Sequence, residues 1–222
     1  MASHQDRLAR VQDKRRELAA AGPARLRTEG DFSVVALPDA DGDVLRDLLI
    51  AERATSVIEV GLAYGSSALA IAEALVTLDG DESTRHVVVD AFQHHFHGAG
   101  WQALVDAGVA DTCELLPERS QLALPRLVAE GGTADAAFVD GSHVFHNVFV
   151  DLAFLRELVR PGGLIVLDDC DWPSVATAVR YFERNTGWQA QPIDRPSRLR
   201  ALRLPDPPVE PSFEDFQPFA VD

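Results

Sequence analysis

The fold is decided by the stretch Ser56-Val57-Ile58-Glu59-Val60-Gly61-Leu62-Ala63-Tyr64-Gly65-Ser66-Ser67. Its first five residues form a short, mostly apolar and partly β-branched run, as expected of a strand buried on both faces. Gly61 and Gly65 then allow a tight turn and a close approach of the backbone to a ligand. A helix that begins after Gly65 offers its free N–H groups at the same place. The stretch predicts a strand, a ligand-binding loop and a helix, although a plain strand-to-helix turn fits the same residues.

Similar apolar runs recur along the chain and alternate with amphipathic segments. The runs are residues 56–60, 86–90, 112–116, 136–140 and 164–168. The predicted helices between and after them are residues 66–78, 99–108, 120–130, 144–159 and 173–185. Two later stretches, 188–192 and 198–204, are too close together for a helical crossover and predict an antiparallel closing pair. This pattern predicts an α/β fold with a doubly wound, mainly parallel, seven-stranded sheet of the Rossmann-like kind.

The N-terminal part, residues 1–39, is predicted to be a helical extension. Within it, residues 3–20 carry Leu8, Val11 and Leu18 at roughly helical spacing among charges. We interpret this as a thinly amphipathic helix that lies on a partner surface. A second helix is predicted at 41–53, at the start of the main domain.

The main domain is predicted to span residues 40–204, followed by a tail from 205 to 222. The tail holds five prolines, five acidic residues and no basic residue. Its aromatic residues Phe213, Phe216 and Phe219 are spaced along it. We interpret it either as a mobile acidic tail or as an arm whose rings dock on the body or on a second subunit.

Charge and composition exclude several classes of partner. Among the 222 residues, 20 are lysine or arginine and 35 are aspartate or glutamate, so the formal net charge is −15. Nucleic acid and anionic membranes are bound through clustered positive charge, so neither is an expected partner. No run of 18 apolar residues and no signal peptide is found. Cys113 and Cys170 lie far apart, which indicates neither a zinc site nor a disulfide framework and favours a reducing cytoplasm.

Asp90 marks the second place where a ligand is expected. In open α/β sheets ligands bind outside the carboxyl ends of the strands, and Asp90 ends the second predicted strand. A carboxylate there can accept two hydrogen bonds from ribose hydroxyls, although a turn or cap aspartate fits as well. The loop has Ala63 and Ser66 where a dinucleotide-binding GxGxxG motif would favour glycine, which argues against a nicotinamide site.

These motifs together resemble the class I S-adenosylmethionine-dependent methyltransferases over about residues 40–204. Within that family the chain is similar to the small metal-dependent O-methyltransferases of the catechol and the sugar or macrolide type. The resemblance is carried by the acid-x-Gly-x-x-x-Gly loop from Glu59 to Gly65 with Ser67 after it, by Asp90, by Ser120-Gln121, by Val139-Asp140-Gly141-Ser142-His143, and by Pro161-Gly162-Gly163 leading to Leu167-Asp168-Asp169. The order and spacing of these motifs are more specific than any one of them.

The resemblance implies a role for each matched residue. Gly61, Ala63, Gly65 and Ser67 would surround the methionine portion of the cofactor, Asp90 would hold the ribose, and Ser120 and Gln121 would lie at the adenine edge. Glu59, Ala91 and Asp140 are further implied cofactor-binding residues. Ser120 also fits a helix N-cap. His143 stands where the catechol enzyme would have its catalytic lysine, so His143 and Asp140 are the implied catalytic residues. A histidine can take a hydroxyl proton near neutral pH.

Asp140, Asp168 and Asp169 form a predicted metal site. Adjacent strands lie about 4.8 Å apart, so carboxylates at their ends can meet on one ion. No lysine or arginine is near them in sequence, and a hard cation such as Mg²⁺ would balance them. Alternatively, Asp168 and Asp169 merely begin the loop before Pro173. The irregular segment with His94, His95 and His97 fits a solvated or substrate-facing loop better than a metal cluster.

The expected function is metal-assisted O-methylation of a small-molecule hydroxyl, such as a natural-product sugar or a phenol, by a homodimer. A non-catalytic relative that binds the cofactor or a partner is the main alternative. A nicotinamide-dependent oxidoreductase is less compatible, because the chain lacks both GxGxxG and the length for a substrate domain.

Overall fold

The computed structural model describes residues 3–28, 30–78 and 84–219. Its centre is a seven-stranded sheet in the order β3-β2-β1-β4-β5-β7-β6. The strands are β1 Ser56–Val60, β2 Arg85–Val89, β3 Cys113–Leu116, β4 Ala134–Val139, β5 Val159–Leu167, β6 Gln189–Gln191 and β7 Arg200–Arg203. The first five pair in parallel, and β7 is antiparallel to both β5 and β6. The predicted sheet and its antiparallel closing pair are confirmed.

Helices cover both faces of this sheet, as a doubly wound fold requires. They are α1 His4–Ala21, α2 Asp31–Val35, α3 Asp39–Glu52, α4 Ser66–Leu78, α5 Ala99–Ala107, α6 Ser120–Ala129, α7 Phe145–Leu158 and α8 Pro173–Asn185. On one face, α6, α7 and α8 bury Leu124, Leu152 and Val179. On the other, α1, α3, α4 and α5 form the remaining core clusters. No helix in the described ranges is long and apolar enough to cross a membrane.

Three strands end one residue earlier than predicted, and this shift places an aspartate just beyond the end of each strand at the sheet edge. The backbone N–H of Asp90 donates to Leu116, that of Asp140 to Val60 and that of Asp168 to Val139. Each aspartate is therefore tied to the neighbouring strand, while its side chain stands beyond the last strand residue. Because the strands are parallel, all three lie at the carboxyl edge of the sheet.

Strand β5 begins earlier than the sequence predicts. It starts at Val159, where a helix was expected, and includes Pro161-Gly162-Gly163. The pairing of β4 with β5 is irregular between Ala134 and Ala136, which accommodates these residues. Gly162 has φ +70°, a conformation that favours glycine. The short helix α2 and the 3₁₀ turns at Gln93–Phe96 and Ala110–Thr112 were not predicted.

Helix α1 packs on the body of its own chain, so the prediction of a helix lying on a partner surface is wrong. Its Val11 and Leu18 are buried against α4 and α5. Arg15 forms an ion pair with Glu73 of α4, and both side chains are buried. The two charges satisfy each other across the interface, which a helical pattern read along α1 alone does not reveal.

The described part of the tail lies against α7 and α8. The ring of Phe219 stacks on Phe145 with an interplanar angle of 8°, and it meets Tyr181 edge-on. Asn185 donates from Nδ2 to the carbonyl oxygen of Gln217 at 3.0 Å and accepts from its backbone N–H at 2.8 Å. The arm interpretation with docking on the body therefore describes residues 205–219, while residues 220–222 lie outside the described residues. The domain boundaries and the homodimer stay predictions.

Candidate active site

The loop after β1 needs glycine at its first position. Gly61 has φ +98°, and a Cβ built on it would overlap the backbone carbonyl of Asp140. Gly65 has φ +86° and packs against the backbone of Gly100. Ala63 also has positive φ, at +43°, which is uncommon for a residue with a side chain. The loop is therefore held in a strained, tightly packed conformation between β1 and β4.

Asp90 holds this loop through its carboxylate. Oδ2 accepts hydrogen bonds from the backbone N–H groups of Leu62 at 3.1 Å and Ala63 at 3.0 Å, and from Nε2 of Gln93 at 2.9 Å. Oδ1 accepts from the backbone N–H of Phe92 at 2.6 Å. Each carboxylate oxygen has about two acceptor positions, so Oδ1, which accepts from one donor, keeps room for one more, such as a ribose hydroxyl. Sequence reasoning missed Gln93, which lies three residues after Asp90 on an unpredicted turn.

Glu59 lies behind the loop and not within it. Its side chain is fully buried, with Oε1 accepting a 2.5 Å hydrogen bond from Ser67 Oγ and Oε2 lying 2.9 Å from Nε2 of His86. Burial is the largest single influence on His86 and lowers its pKa. The contacts with Cys113 and Glu59 together outweigh burial and raise the pKa of His86 to about 9. Glu59 thus connects the first turn of α4 to β2, and from there it supports the loop.

Ser120 and Gln121 begin α6, beside the buried Asp151 of α7. Gln121 Nε2 donates to Ser120 Oγ at 2.9 Å and to Asp151 Oδ1 at 3.3 Å. Burial raises the pKa of Asp151 to about 6, although the hydrogen bonds with Ser120 and Gln121 lower it. The predicted adenine-edge pair thus contacts a third polar residue, Asp151. Sequence reasoning missed Asp151, because a lone aspartate on an amphipathic helix suggests exposure.

Asp140, His143 and Asp169 come together at the carboxyl ends of β4 and β5. Each offers one donor atom, and these atoms lie within 4.8 Å of one another. His143 Nε2 is 2.9 Å from Asp169 Oδ2 and 3.8 Å from Asp140 Oδ1. Burial, with repulsion from Asp168 and Asp169, raises the pKa of Asp140 to about 6, while His143 opposes the shift. The carboxylates, Asp140 first, raise the pKa of His143 against its partial burial.

Asp168 is arranged differently from the other two aspartates. Its carboxylate is fully buried and forms an ion pair with Arg198 from the loop between β6 and β7. The predicted absence of a nearby basic residue therefore holds along the sequence but not in space. Asp169 follows with φ +55°, a strained conformation that separates the directions of the two adjacent aspartates.

Aromatic and polar residues surround His143 at the surface. The indole of Trp172 stacks on the imidazole at 6.2 Å with an interplanar angle of 8°. Ser174 Oγ donates to the backbone carbonyl of His143 at 2.6 Å. Trp172 is 55% exposed and Phe145 is also exposed, so an apolar rim borders the acidic cluster. Such a rim can accept the flat or ring-shaped face of a small molecule.

The histidine segment does not form a comparable site. His94 and His95 are exposed with their ring centres 4.0 Å apart, and His97 is exposed as well. Across the described ranges, only Asp140, His143 and Asp169 form a group of three or more such residues close enough to share an ion. This agrees with the interpretation of residues 94–97 as a solvated loop.

Two buried polar atoms near the loop lack a hydrogen-bond partner within the described residues. They are Oγ of Ser66, in the first residue of α4, and Oε1 of Gln93. Buried polar atoms are nearly always satisfied, so these two are candidates for ligand contact. A cavity of about 280 Å³ beside Ser66 is lined by α1, α2 and the start of α3, and includes none of the predicted cofactor residues. The strained loop thus has two unpartnered polar atoms in or beside it, which fits a polar ligand.

Comparison with known proteins identifies relatives. Tricin synthase 2 from Oryza sativa subsp. japonica is 28% identical over 150 residues, which cover 66% of this chain and 49% of that protein. The chain therefore spans about half the length of this curated relative.

Solved structures share the fold. The O-methyltransferase from Bacillus cereus in complex with SAH has a TM-score of 0.62 at 17% identity, covering 88% of this chain and 90% of the other. The O-methyltransferase TomG from Streptomyces achromogenes, involved in tomaymycin synthesis and solved with SAM, has a TM-score of 0.61 at 22% identity, covering 90% and 89%.

The family follows from the sequence itself. A family profile described as "Methyltransferase domain" matches residues 58–170, just over half of the chain. The match contains the glycine loop, Asp90 and the cluster of Asp140, His143 and Asp169. The resemblance stated from the motifs is thereby confirmed at family level, and the chain belongs to the methyltransferase domain family.

Proposed function

We propose that this chain is an S-adenosylmethionine-dependent O-methyltransferase that acts on a small-molecule hydroxyl, such as a natural-product sugar or a phenol. The position of Asp140 carries this proposal. Its backbone carbonyl packs against Gly61 of the loop, while its carboxylate lies 3.8 Å from His143. One residue thereby joins the predicted cofactor loop to a cluster that can bind and deprotonate an acceptor. The solved relatives with SAM or SAH are named O-methyltransferases, which supports the same activity.

The proposed cofactor site uses the loop for the methionine portion. Gly61, Ala63, Gly65 and Ser67 surround it there, with the first N–H groups of α4 available to its carboxylate. Glu59 contributes by holding Ser67, since burial keeps its own carboxylate from a ligand.

Ribose and adenine would lie farther along the sheet edge. Asp90 and Ala91 are the proposed ribose neighbours, with the remaining acceptor position on Oδ1 of Asp90. Ser120 and Gln121 are the proposed adenine neighbours at the start of α6.

The acidic cluster is proposed to hold a divalent cation such as Mg²⁺. Mg²⁺ is commonly bound by one or two carboxylates together with water and substrate oxygens, so Asp140 and Asp169 are a sufficient pair. Bound SAM supplies an electrophilic methyl group, and the cation supplies positive charge that acidifies the acceptor hydroxyl.

His143 is the proposed base. Its ring is about half exposed, the ring of Trp172 lies nearly parallel to it, and Asp169 lies within hydrogen-bond distance of Nε2. A neutral ring that donates from Nε2 to Asp169 keeps Nδ1 as the atom that can take the hydroxyl proton, and transfer of the methyl group to the acceptor oxygen would break its bond to the sulfonium sulfur. No covalent intermediate with the chain is needed, so orientation and desolvation by these residues supply most of the acceleration.

Calorimetric titration of S-adenosylmethionine into chelator-stripped protein tests the proposal, because it needs no knowledge of the acceptor. A dissociation constant between about 1 µM and 1 mM is expected. No binding by folded protein would contradict it, and NADH fluorescence enhancement would then favour the oxidoreductase alternative. Cofactor binding with no turnover of diverse sugar and phenol acceptors would favour a non-catalytic relative.

A further inference from the structure

The loop between β6 and β7 brings an arginine into the acidic cluster. It is fixed to α3, where Asp41 Oδ1 accepts hydrogen bonds from Ser197 Oγ at 2.6 Å and from the backbone N–H of Arg198 at 3.3 Å. Arg195 adds an ion pair with Asp47 of the same helix. The backbone of Arg198 is thus held from one side, while its side chain reaches Asp168 on the other.

Both carboxylate oxygens of Asp168 are occupied by the protein. Oδ1 accepts a 2.8 Å hydrogen bond from the backbone N–H of Asp169, and Oδ2 pairs with Nη2 of Arg198. The side chain is fully buried. Asp168 is absent from the group of mutually close donor atoms that Asp140, His143 and Asp169 form.

The charges also separate Asp168 from Asp140 and Asp169. Asp168 and Arg198 cancel, which leaves the two carboxylates of Asp140 and Asp169 with a formal charge of −2. A divalent cation balances that charge, and two carboxylates are a common protein contribution to Mg²⁺. A third carboxylate would need Arg198 to leave a buried partner, and separating such a pair is costly.

We propose that Arg198 is a positioning residue that keeps Asp168 out of the metal ligand set, so that Asp140 and Asp169 alone supply the carboxylate ligands. This inference rests on the proposed function, since it concerns the same cation site. It differs from the set of three aspartates that the sequence predicts, and it assigns the loop between β6 and β7 a part in setting the carboxylate ligands.

Mn²⁺ binding to chelator-stripped protein tests the inference without any assay of activity. The free ion is measured by electron paramagnetic resonance for the wild type, Asp169→Asn, Asp168→Asn and Arg198→Ala. Asp169→Asn is expected to weaken binding by about tenfold or more, because a charged ligand is lost. Asp168→Asn is expected to weaken it clearly less than Asp169→Asn does, by about threefold, because it uncovers the charge of Arg198 but removes no ligand.

Arg198→Ala is expected to tighten Mn²⁺ binding by about tenfold, because it removes a positive charge and frees the carboxylate of Asp168. Arg198→Lys, which keeps the charge, should stay near the wild type. Arg195→Ala is the matched control, since it removes an arginine of the same loop that pairs with Asp47 and not with the cluster. A merely structural role of Arg198 would lower the melting temperature without tightening the binding of the ion.

Other results overturn the inference. Asp168→Asn that weakens binding as much as Asp169→Asn would make Asp168 a ligand, and unchanged or weaker binding by Arg198→Ala would remove the role of Arg198. Absence of Mn²⁺ binding in every variant also overturns it. Titration of S-adenosylmethionine into the same samples separates the two hypotheses, because retained cofactor binding leaves the proposed methyltransferase function standing.

Discussion

Nε2 of His143, just beyond β4, lies 2.9 Å from Oδ2 of Asp169, just beyond β5. The two residues follow neighbouring parallel strands, so the sheet brings their loops together at one edge. Asp169 has φ +55° and its carboxylate faces the histidine, while Asp168 is paired with Arg198. Two adjacent aspartates therefore have separate partners, and one of them orients the proposed base.

His143→Ala is expected to lower kcat by about 10²- to 10⁴-fold, which is the usual contribution of a general base. The affinity for S-adenosylmethionine should be unchanged, because His143 is not among the proposed cofactor residues. Steady-state kinetics and calorimetry measure the two quantities. His146→Ala is the matched control, since His146 is an exposed histidine of α7. Equal activities of the two variants would exclude His143 as the base.

Gly61→Ala is expected to abolish detectable cofactor binding and to destabilise the fold. The new Cβ would overlap the carbonyl of Asp140, and φ +98° is unfavourable for alanine. Gly131→Ala is the matched control, because Gly131 has φ +74° but no atom within 4 Å of an added Cβ. That control should cost only about 1 kcal/mol. Chemical unfolding measures the loss of stability in each variant, and calorimetry measures the loss of cofactor binding. The control carries only the backbone strain of a positive φ, so similar losses in both variants would contradict the close packing of Gly61 against Asp140.

The alternation of apolar runs and amphipathic segments was enough to predict the sheet, its mainly parallel order and the aspartates at its edge. It could not predict partners that come from distant parts of the chain. Arg198 lies 30 residues after Asp168 and reaches it only because Asp41 holds the intervening loop against α3. Arg15 likewise finds Glu73 only after α1 has packed on α4.

The roles predicted for individual residues show the same limit of sequence patterns. A sequence pattern placed Glu59 in the cofactor loop, but the side chains that face it, Ser67 and His86, lie on two other elements. Asp90 was correctly placed at the strand end, yet its bonds to the loop and to Gln93 depend on a 3₁₀ turn without a clear sequence signal. Local hydrophobic periodicity reports burial of an element, whereas hydrogen-bond partners depend on tertiary packing.

The buried pair of Glu59 and His86 predicts a specific dependence of stability on pH. The folded-state pKa of His86, about 9, lies above its ordinary value of 6.5. The pair therefore stabilises the fold fully below pH 6.5, and this contribution is lost as the pH rises through about 9. The free energy of unfolding, measured by urea titration, should fall between pH 6.5 and 9.

Glu59→Gln is expected to cost about 3–5 kcal/mol at pH 6.5, because it leaves a buried charge without its partner. It should also flatten the decline between pH 6.5 and 9. His94→Ala controls for a general effect of losing a titratable histidine, since His94 is exposed. A decline of equal size in Glu59→Gln and the wild type would mean that His86 is neutral in the folded protein.

The C-terminal arm should contribute to stability through one of its aromatic residues and not another. Phe219 stacks on Phe145 and meets the edge of Tyr181, with ring centres 6.5 and 5.3 Å away. Phe213 is 91% exposed. Phe219→Ala is expected to lower the free energy of unfolding by about 1 kcal/mol or more, through lost ring contacts and burial. Phe213→Ala should stay within about 0.5 kcal/mol of the wild type, as surface substitutions usually do.

Urea unfolding at a single low protein concentration measures the free energy of unfolding of both variants. Equal effects of the two variants would contradict docking of the arm on α7 and α8, because that docking buries one ring and leaves the other in solvent.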